Sequence, residues 1–158
     1  MALRKIVTGE DEILHKKSRQ VTVFDQRLHQ LLDDMLETMA DANGVGLAAV
    51  QVGVLRRVVV IQLGEEKPLE LVNPVITEAS EETQCTAEAC LSFPGEAGMV
   101  TRPKRVTVQA QNRSGDLITV TGEDLMARAL CHELDHLDGV VFLDRAERML
   151  GEDEDVEE

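Results

Sequence analysis

The chain has no tryptophan, no tyrosine and only three phenylalanines among its 158 residues, so aliphatic side chains must build its core. It also lacks any long apolar run. Four consecutive residues, as in Val58-Val59-Val60-Ile61, are the limit, far short of the roughly 20 that a membrane-spanning helix needs. A short β-branched run of this kind describes a buried strand. Cysteine is scarce and odd in number, at three, and Met1-Ala2-Leu3-Arg4-Lys5-Ile6 lacks the apolar stretch of a secretory leader. Both features argue against a disulfide framework and for a reducing, cytoplasmic setting. Bases are outnumbered 16 to 30 by acids, and the net charge of −14 works against binding to nucleic acid or to an anionic membrane.

That charge is unevenly spread. Residues 151–158 hold six acids and no base, which leaves −8 on the first 150 residues. The expected organisation is one domain over 1–150, long enough to bury most of its apolar surface, followed by an acidic, mobile tail over 151–158.

Periodicity supplies the elements. Asp25 can cap a helix whose apolar positions Leu28, Leu31, Leu32, Met35, Leu36 and Met39 recur at steps of three and four, with Asn43-Gly44 ending it. Arg57 to Leu63 and Leu69 to Ile76 read as strands, the second interrupted by Asn73-Pro74, which suits an edge or a bulge. Arg105 to Ala110 and Leu117 to Val120 alternate around Asn112-Arg113-Ser114-Gly115-Asp116 as a β-hairpin with a longer loop. A last helix is expected from near Gly122-Glu123-Asp124, through Leu125, Ala129, His132 and His136, to Gly139. Strands clustered between two helices imply an α+β fold with mostly antiparallel sheets packed around that last helix.

On that helix His132-Glu133-Leu134-Asp135-His136 places two imidazoles at i and i+4 on one face with a carboxylate between them, a pattern that binds a divalent metal and activates water. A catalytic site of this type takes three protein ligands and leaves one position open. A metzincin-type third histidine is excluded, because Phe142 occupies its place. His15 and His29 lie far upstream in charged surroundings that suit solvated surface roles. Cys131 directly precedes His132, so its side chain is turned by about 100° from the imidazole and should pack on a neighbouring surface. Cys85 lies in the polar run Glu81 to Thr86, where nothing aims it at the motif. Asp135 and Asp138 are non-ligating positions with supporting or surface roles.

Two further segments carry a resemblance. Gly44-Val45-Gly46-Leu47-Ala48-Ala49-Val50-Gln51-Val52-Gly53, then Glu88-Ala89-Cys90-Leu91-Ser92-Phe93-Pro94-Gly95, and then His132 to Gly139 running into Phe142-Leu143-Asp144-Arg145 resemble, in order, the three signatures of peptide deformylases. The resemblance implies hydrolysis of the formyl group from N-formylmethionyl ends of newly made polypeptides, with release of formate. It implies Cys90, His132 and His136 as ligands of one divalent metal, usually Fe²⁺, with Zn²⁺, Ni²⁺ or Co²⁺ able to occupy the site. Glu133 would act as general base and acid, and the Gln51 amide with the Leu91 backbone N–H would stabilise the oxyanion. The backbone of Gly44, Val45, Gly46 and Ala89 would flank an extended substrate. Leu125 and Ala129 share a helical face with His132 and would wall an apolar pocket for the methionine side chain. A nascent-chain substrate implies transient encounter with the ribosome, with no direct nucleic-acid or membrane binding.

Two positions depart from the family pattern. Ala89 replaces the glycine before the cysteine, where a Cβ could narrow the substrate's approach or forbid a positive φ. Cys131 replaces the glutamine common before the first histidine. Two rival readings follow from the residues: a zincin-like endopeptidase with Glu147 as third ligand, and a metal-stabilised binding protein in which Ala89 blocks the substrate.

Overall fold

The computed structural model describes residues 2–151, so the acidic tail expected over 151–158 lies, apart from Gly151, outside the described residues. Helix α1 spans Gln26–Asp41, followed by strand β1 (Gly46–Ala48), β2 (Val58–Ile61) and β3 (Leu69–Ala79). Strands β4 (Thr83–Ala89), β5 (Ala97–Pro103), β6 (Arg105–Gln111) and β7 (Leu117–Glu123) come next. Helix α2 (Leu125–Leu137), the short α3 (Phe142–Arg145) and β8 (Arg148–Met149) complete the order. A five-stranded antiparallel sheet runs β1-β2-β3-β6-β7, and a three-stranded one runs β4-β5-β8. The fold is α+β, as the order of elements in the sequence implies. None of the described helices is long and apolar enough to cross a membrane.

Helix α1 starts where Asp25 accepts hydrogen bonds from the backbone N–H groups of Arg27 and Leu28, satisfying two donors that have no helical partner. It ends as Asn43 turns into the left-handed region at φ 56°. Its apolar stripe packs with Leu47, Val58, Val60 and Val72, whereas α2 packs with Val59, Ile61, Leu71, Val106 and Val108. The two helices therefore cover opposite faces of the sheet, and alternate side chains of β2 go to each. That explains why Val58 to Ile61 is apolar without interruption: a strand covered on both faces has no solvent side.

The interruption at Asn73-Pro74 is a bulge and not an edge. β3 pairs with β2 on one side and β6 on the other, with a register shift between Val72 and Val75. Proline's missing N–H falls inside that irregularity. Asn73, at φ 53°, fixes the bend through hydrogen bonds with the Val21 backbone N–H and carbonyl, both 2.8 Å.

Helix α2 begins later than expected, because Gly122 and Glu123 belong to β7 and pair with Val106 and Arg105. Chain reversal falls on Asp124 alone, at φ 52°. The C-terminal end is as expected, with Gly139 at φ 75° just beyond it. A Cβ there would stand 2.6 Å from the His15 carbonyl oxygen, so glycine is required by space as well as by conformation.

Candidate active site

Helix α2 meets the end of β4 where the apolar layers stop. His132 and His136 project from one face of α2, their ring centroids 5.0 Å apart. Cys90 follows β4 directly, and its Sγ with one nitrogen of each imidazole forms a group whose atoms all lie within 4.8 Å of one another. Cys90 Sγ is 3.4 Å from His136 Nε2. Tetrahedral bonds of about 2.0–2.3 Å separate neighbouring ligand atoms by roughly 3.3–3.6 Å, a range that holds the Cys90–His136 pair, and one thiol with two imidazoles is a donor set suited to a metal ion of that coordination. The Nδ1 atom of His132 is 3.0 Å from Glu88 Oε1, which leaves Nε2 to face the cysteine side, the arrangement a ligating imidazole requires. Burial, followed by the neighbouring His132 and Arg102, holds His136 well below its usual pKa and hence neutral. Phe142, standing where a metzincin histidine would be, stacks on the His132 ring at 6.1 Å instead.

Glu133 is buried beside this group, and its Oε1 has no hydrogen-bond partner among the described residues. Burial pushes its carboxyl up to about 7, against the attraction of His132. Gly46 makes the room: a Cβ there would lie 2.6 Å from Glu133 Oε2. At Gly44 a Cβ would lie 2.6 Å from Leu91 Cδ1. The two glycines are thus spacers for the residues around Cys90 and Glu133, beyond whatever role their backbone has toward a ligand.

Gln51 lies behind the cysteine. Its Oε1 accepts the Ala48 N–H at 2.9 Å, which turns Nε2 toward Ser92 Oγ at 3.1 Å and Cys90 Sγ at 3.5 Å. A cleft of about 410 Å³ opens in front, walled by Gly44, Val45 and Gly46, by Ala89 and Leu91, and by Leu125, Arg128 and Ala129 of α2. Cys90, His132 and Glu133 reach the same cleft.

A buried charge network supports the histidine face. Arg102 of β5 binds Glu88 through Nε and Nη2, both at 2.9 Å, and Asp135 through Nη1 at 2.6 Å. Asp135 is held from its other side by Arg145 of α3. Burial works to raise the Glu88 carboxyl, but hydrogen bonds from His132 and Arg102 and the guanidinium charge bring it down to about 2. Glu88 is therefore ionised while it orients His132.

A model of the polypeptide deformylase family matches residues 3–151. The chain belongs to this family. Deformylases of this family are metal-dependent hydrolases that remove the N-formyl group from newly made polypeptides. A peptide deformylase from Acetivibrio thermocellus is 58% identical over 154 residues, covering 98% of this chain and 89% of the relative. One from Caldicellulosiruptor bescii is 57% identical, covering 98% and 92%. The crystal structure of peptide deformylase from Thermotoga maritima superimposes with a TM-score of 0.89 at 39% identity, covering 92% of this chain and 98% of that one.

Every deformylase residue expected at the site falls at or against this cleft, Gln51 behind it and His136 beneath it. Ala89 is not among the residues at positive φ, so the missing motif glycine brings no backbone strain. Cys131 packs in the core as expected, and burial pushes its thiol up to about 11. Cys85, in the polar run from Glu81 to Thr86, lies in β4 opposite Thr101. His15 is exposed, but His29 is half-buried against the Arg113 carbonyl, its Nε2 at 2.8 Å. Glu147 accepts from Thr101 Oγ1 at 2.6 Å and is not part of the ligand group, which removes the zincin-like alternative's third ligand.

Glu88, Arg102, Ser92 and Arg128 escaped sequence reasoning. Glu88 had a signal, since two residues before Cys90 on an extended segment share its side. Arg102 had none, because its partners lie 14 and 33 residues away.

Proposed function

We propose that Cys90, His132 and His136 hold one divalent cation and that the cleft binds N-formylmethionyl peptides for hydrolysis of the formyl amide. The observation that carries this reading is the convergence of one sulfur and two imidazole nitrogens within 4.8 Å, beside a buried carboxylate whose Oε1 has no partner among the described residues. A bound cation supplies Lewis acidity to the formyl carbonyl and acidifies water at neutral pH. Glu133 takes a proton on its carboxylate and returns it to the departing amine. Gln51 Nε2 and the Leu91 N–H donate toward the oxygen on which negative charge develops. Gly44, Val45, Gly46 and Ala89 flank the extended peptide, with Leu125 and Ala129 receiving the methionine side chain.

Fe²⁺ is the ion proposed for the cell, with Zn²⁺, Ni²⁺ or Co²⁺ able to replace it, since a thiolate and two imidazoles suit all four. Three unpaired cysteines agree with a reducing cytoplasm. The deformylase domain is assigned to residues 1–150. Contact with the ribosome is assigned as transient, since the net charge of −14 opposes stable docking on RNA.

Replacing Cys90 with serine tests the ligand set. Anaerobically prepared Cys90→Ser should lose most of its bound metal and its formate release from formyl-Met-Ala-Ser while keeping its circular dichroism. Full retention of metal and turnover would refute the assignment of Cys90, and an inactive but metal-loaded wild type would favour a binding protein.

A further inference from the structure

We propose that Arg128 determines specificity by favouring peptides with acidic side chains in the first positions after formylmethionine, an inference that rests on the deformylase reading of the cleft. Arg128 lies four residues before His132 on α2, so the two share a face about one helical turn apart. It lines the cleft with Leu125 and Ala129. Its Nη1 donates to Thr86 Oγ1 at 2.9 Å, a tether from α2 to β4, the strand that leads into Cys90.

This guanidinium lines the cleft with no ion pair among the described residues. Arg102, Arg113 and Arg145 each meet a carboxylate, whereas Arg128, half-buried, meets none among the described residues. Of the acids on the same walls, Glu88 is engaged by Arg102 and His132. Glu133 is buried beside Gly46, and Glu96 makes no ion pair with Arg128. A guanidinium offers five N–H donors in a planar fork suited to carboxylates. Thr86 takes only one of them, and the donors left over beside an apolar wall favour a ligand that completes them. An extended peptide advances about 3.4 Å per residue. With its formyl carbon at the Cys90, His132 and His136 group, its next one or two residues come within about one helical turn and a side-chain length, the reach of Arg128.

The test compares kcat/KM for formyl-Met-Glu-Glu-Ser and formyl-Met-Lys-Lys-Ser on metal-loaded enzyme at low salt. The wild type should favour the acidic peptide by about 10-fold, the range of a partly exposed charge-assisted contact, and the preference should shrink as salt rises. Arg128→Met should bring the ratio to one or below, Arg128→Lys should keep part of it, and Arg128→Glu should invert it. A wild-type ratio at or below one, or a ratio that Arg128→Met leaves unchanged, overturns the proposal. Turnover of formyl-Met-Ala-Ser reports separately on the deformylase reading. Should that turnover be absent, calorimetric Kd values for Met-Glu-Glu-Ser and Met-Lys-Lys-Ser decide the charge preference by the same ratio.

Discussion

The absence of a single carbon atom sets the position of the carboxylate proposed to move the proton. With hydrogen alone at Gly46, Glu133 sits against the backbone of β1, and a methyl group there would approach its Oε2 to 2.6 Å and its Cδ to 3.0 Å. Since displacement of a reacting group by about 1 Å costs on the order of 100-fold in rate, Gly46→Ala should lower kcat by about that factor. Metal content should remain near that of the wild type, because the three atoms nearest the methyl group all belong to Glu133. Steady-state kinetics with elemental analysis checks both halves, and an unchanged kcat would mean that Glu133 yields without cost. Ala89 teaches the converse, since in an extended conformation a Cβ brings no strain where the family pattern has glycine. The motif residues were legible in sequence because spacing alone carries their geometry: i and i+4 on a helix is a face wherever the helix goes.

At the level of elements, β4 and β5 are joined to α2 by charge. Glu88, His132, Arg102 and Asp135 tie the small sheet to the histidine face, and Arg145 brings in α3. Removing one member of a buried pair leaves its partner charged and unsatisfied, a cost of about 3–5 kcal/mol. Glu88→Ala should therefore destabilise the metal-free fold by roughly that amount and weaken metal binding by about 10–100-fold through the loss of His132's orienting partner. Chemical denaturation and metal titration measure the two effects. This hairpin was also what sequence reading missed. In Thr83-Gln84-Cys85-Thr86-Ala87-Glu88-Ala89 only the small Cys85, Ala87 and Ala89 are apolar, and the most buried side chain is the polar Glu88, held by the Arg102 bridge, so the pattern that marks a half-buried strand is inverted. The clear apolar stripe of α1 and the alternating β6–β7 hairpin, by contrast, were readable as they stand.

The N-terminal segment is a second element held by charge. Asp34 of α1 accepts the Ala2 N–H at 2.8 Å and Arg4 Nε at 2.9 Å, while the Arg4 N–H reaches Thr38. Burial works to raise the Asp34 carboxyl, but hydrogen bonds from Ala2, Gln30 and Arg4 outweigh it and hold the group below its ordinary 3.8. A carboxylate lowered on folding contributes its full stability above the unfolded value and loses it as pH falls through the folded one. Asp34→Ala should accordingly cost about 1–3 kcal/mol near neutrality. The difference between wild type and variant should close as pH drops below 3.8, as thermal melts across that range would reveal. A gap that stays constant with pH would place the stabilisation elsewhere.

Over the whole molecule, aliphatic layers do what aromatics do elsewhere: α1 and α2 cover opposite faces of the five-stranded sheet, with two of the three phenylalanines, Phe93 and Phe142, packed edge-on at 5.8 Å below the histidines. This rigid base brings Cys90, at the end of β4, to two histidines more than 40 residues away in sequence. Such long-range convergence had no local signal beyond the family resemblance. In the proposed function this convergence holds a cation on which deformylation depends. Its most direct test is formate release from formyl-Met-Ala-Ser before chelation, after complete metal removal, and after anaerobic return of Fe²⁺. Turnover, its loss and its recovery are expected in that order, and turnover that persists in verified metal-free protein would refute the dependence on metal.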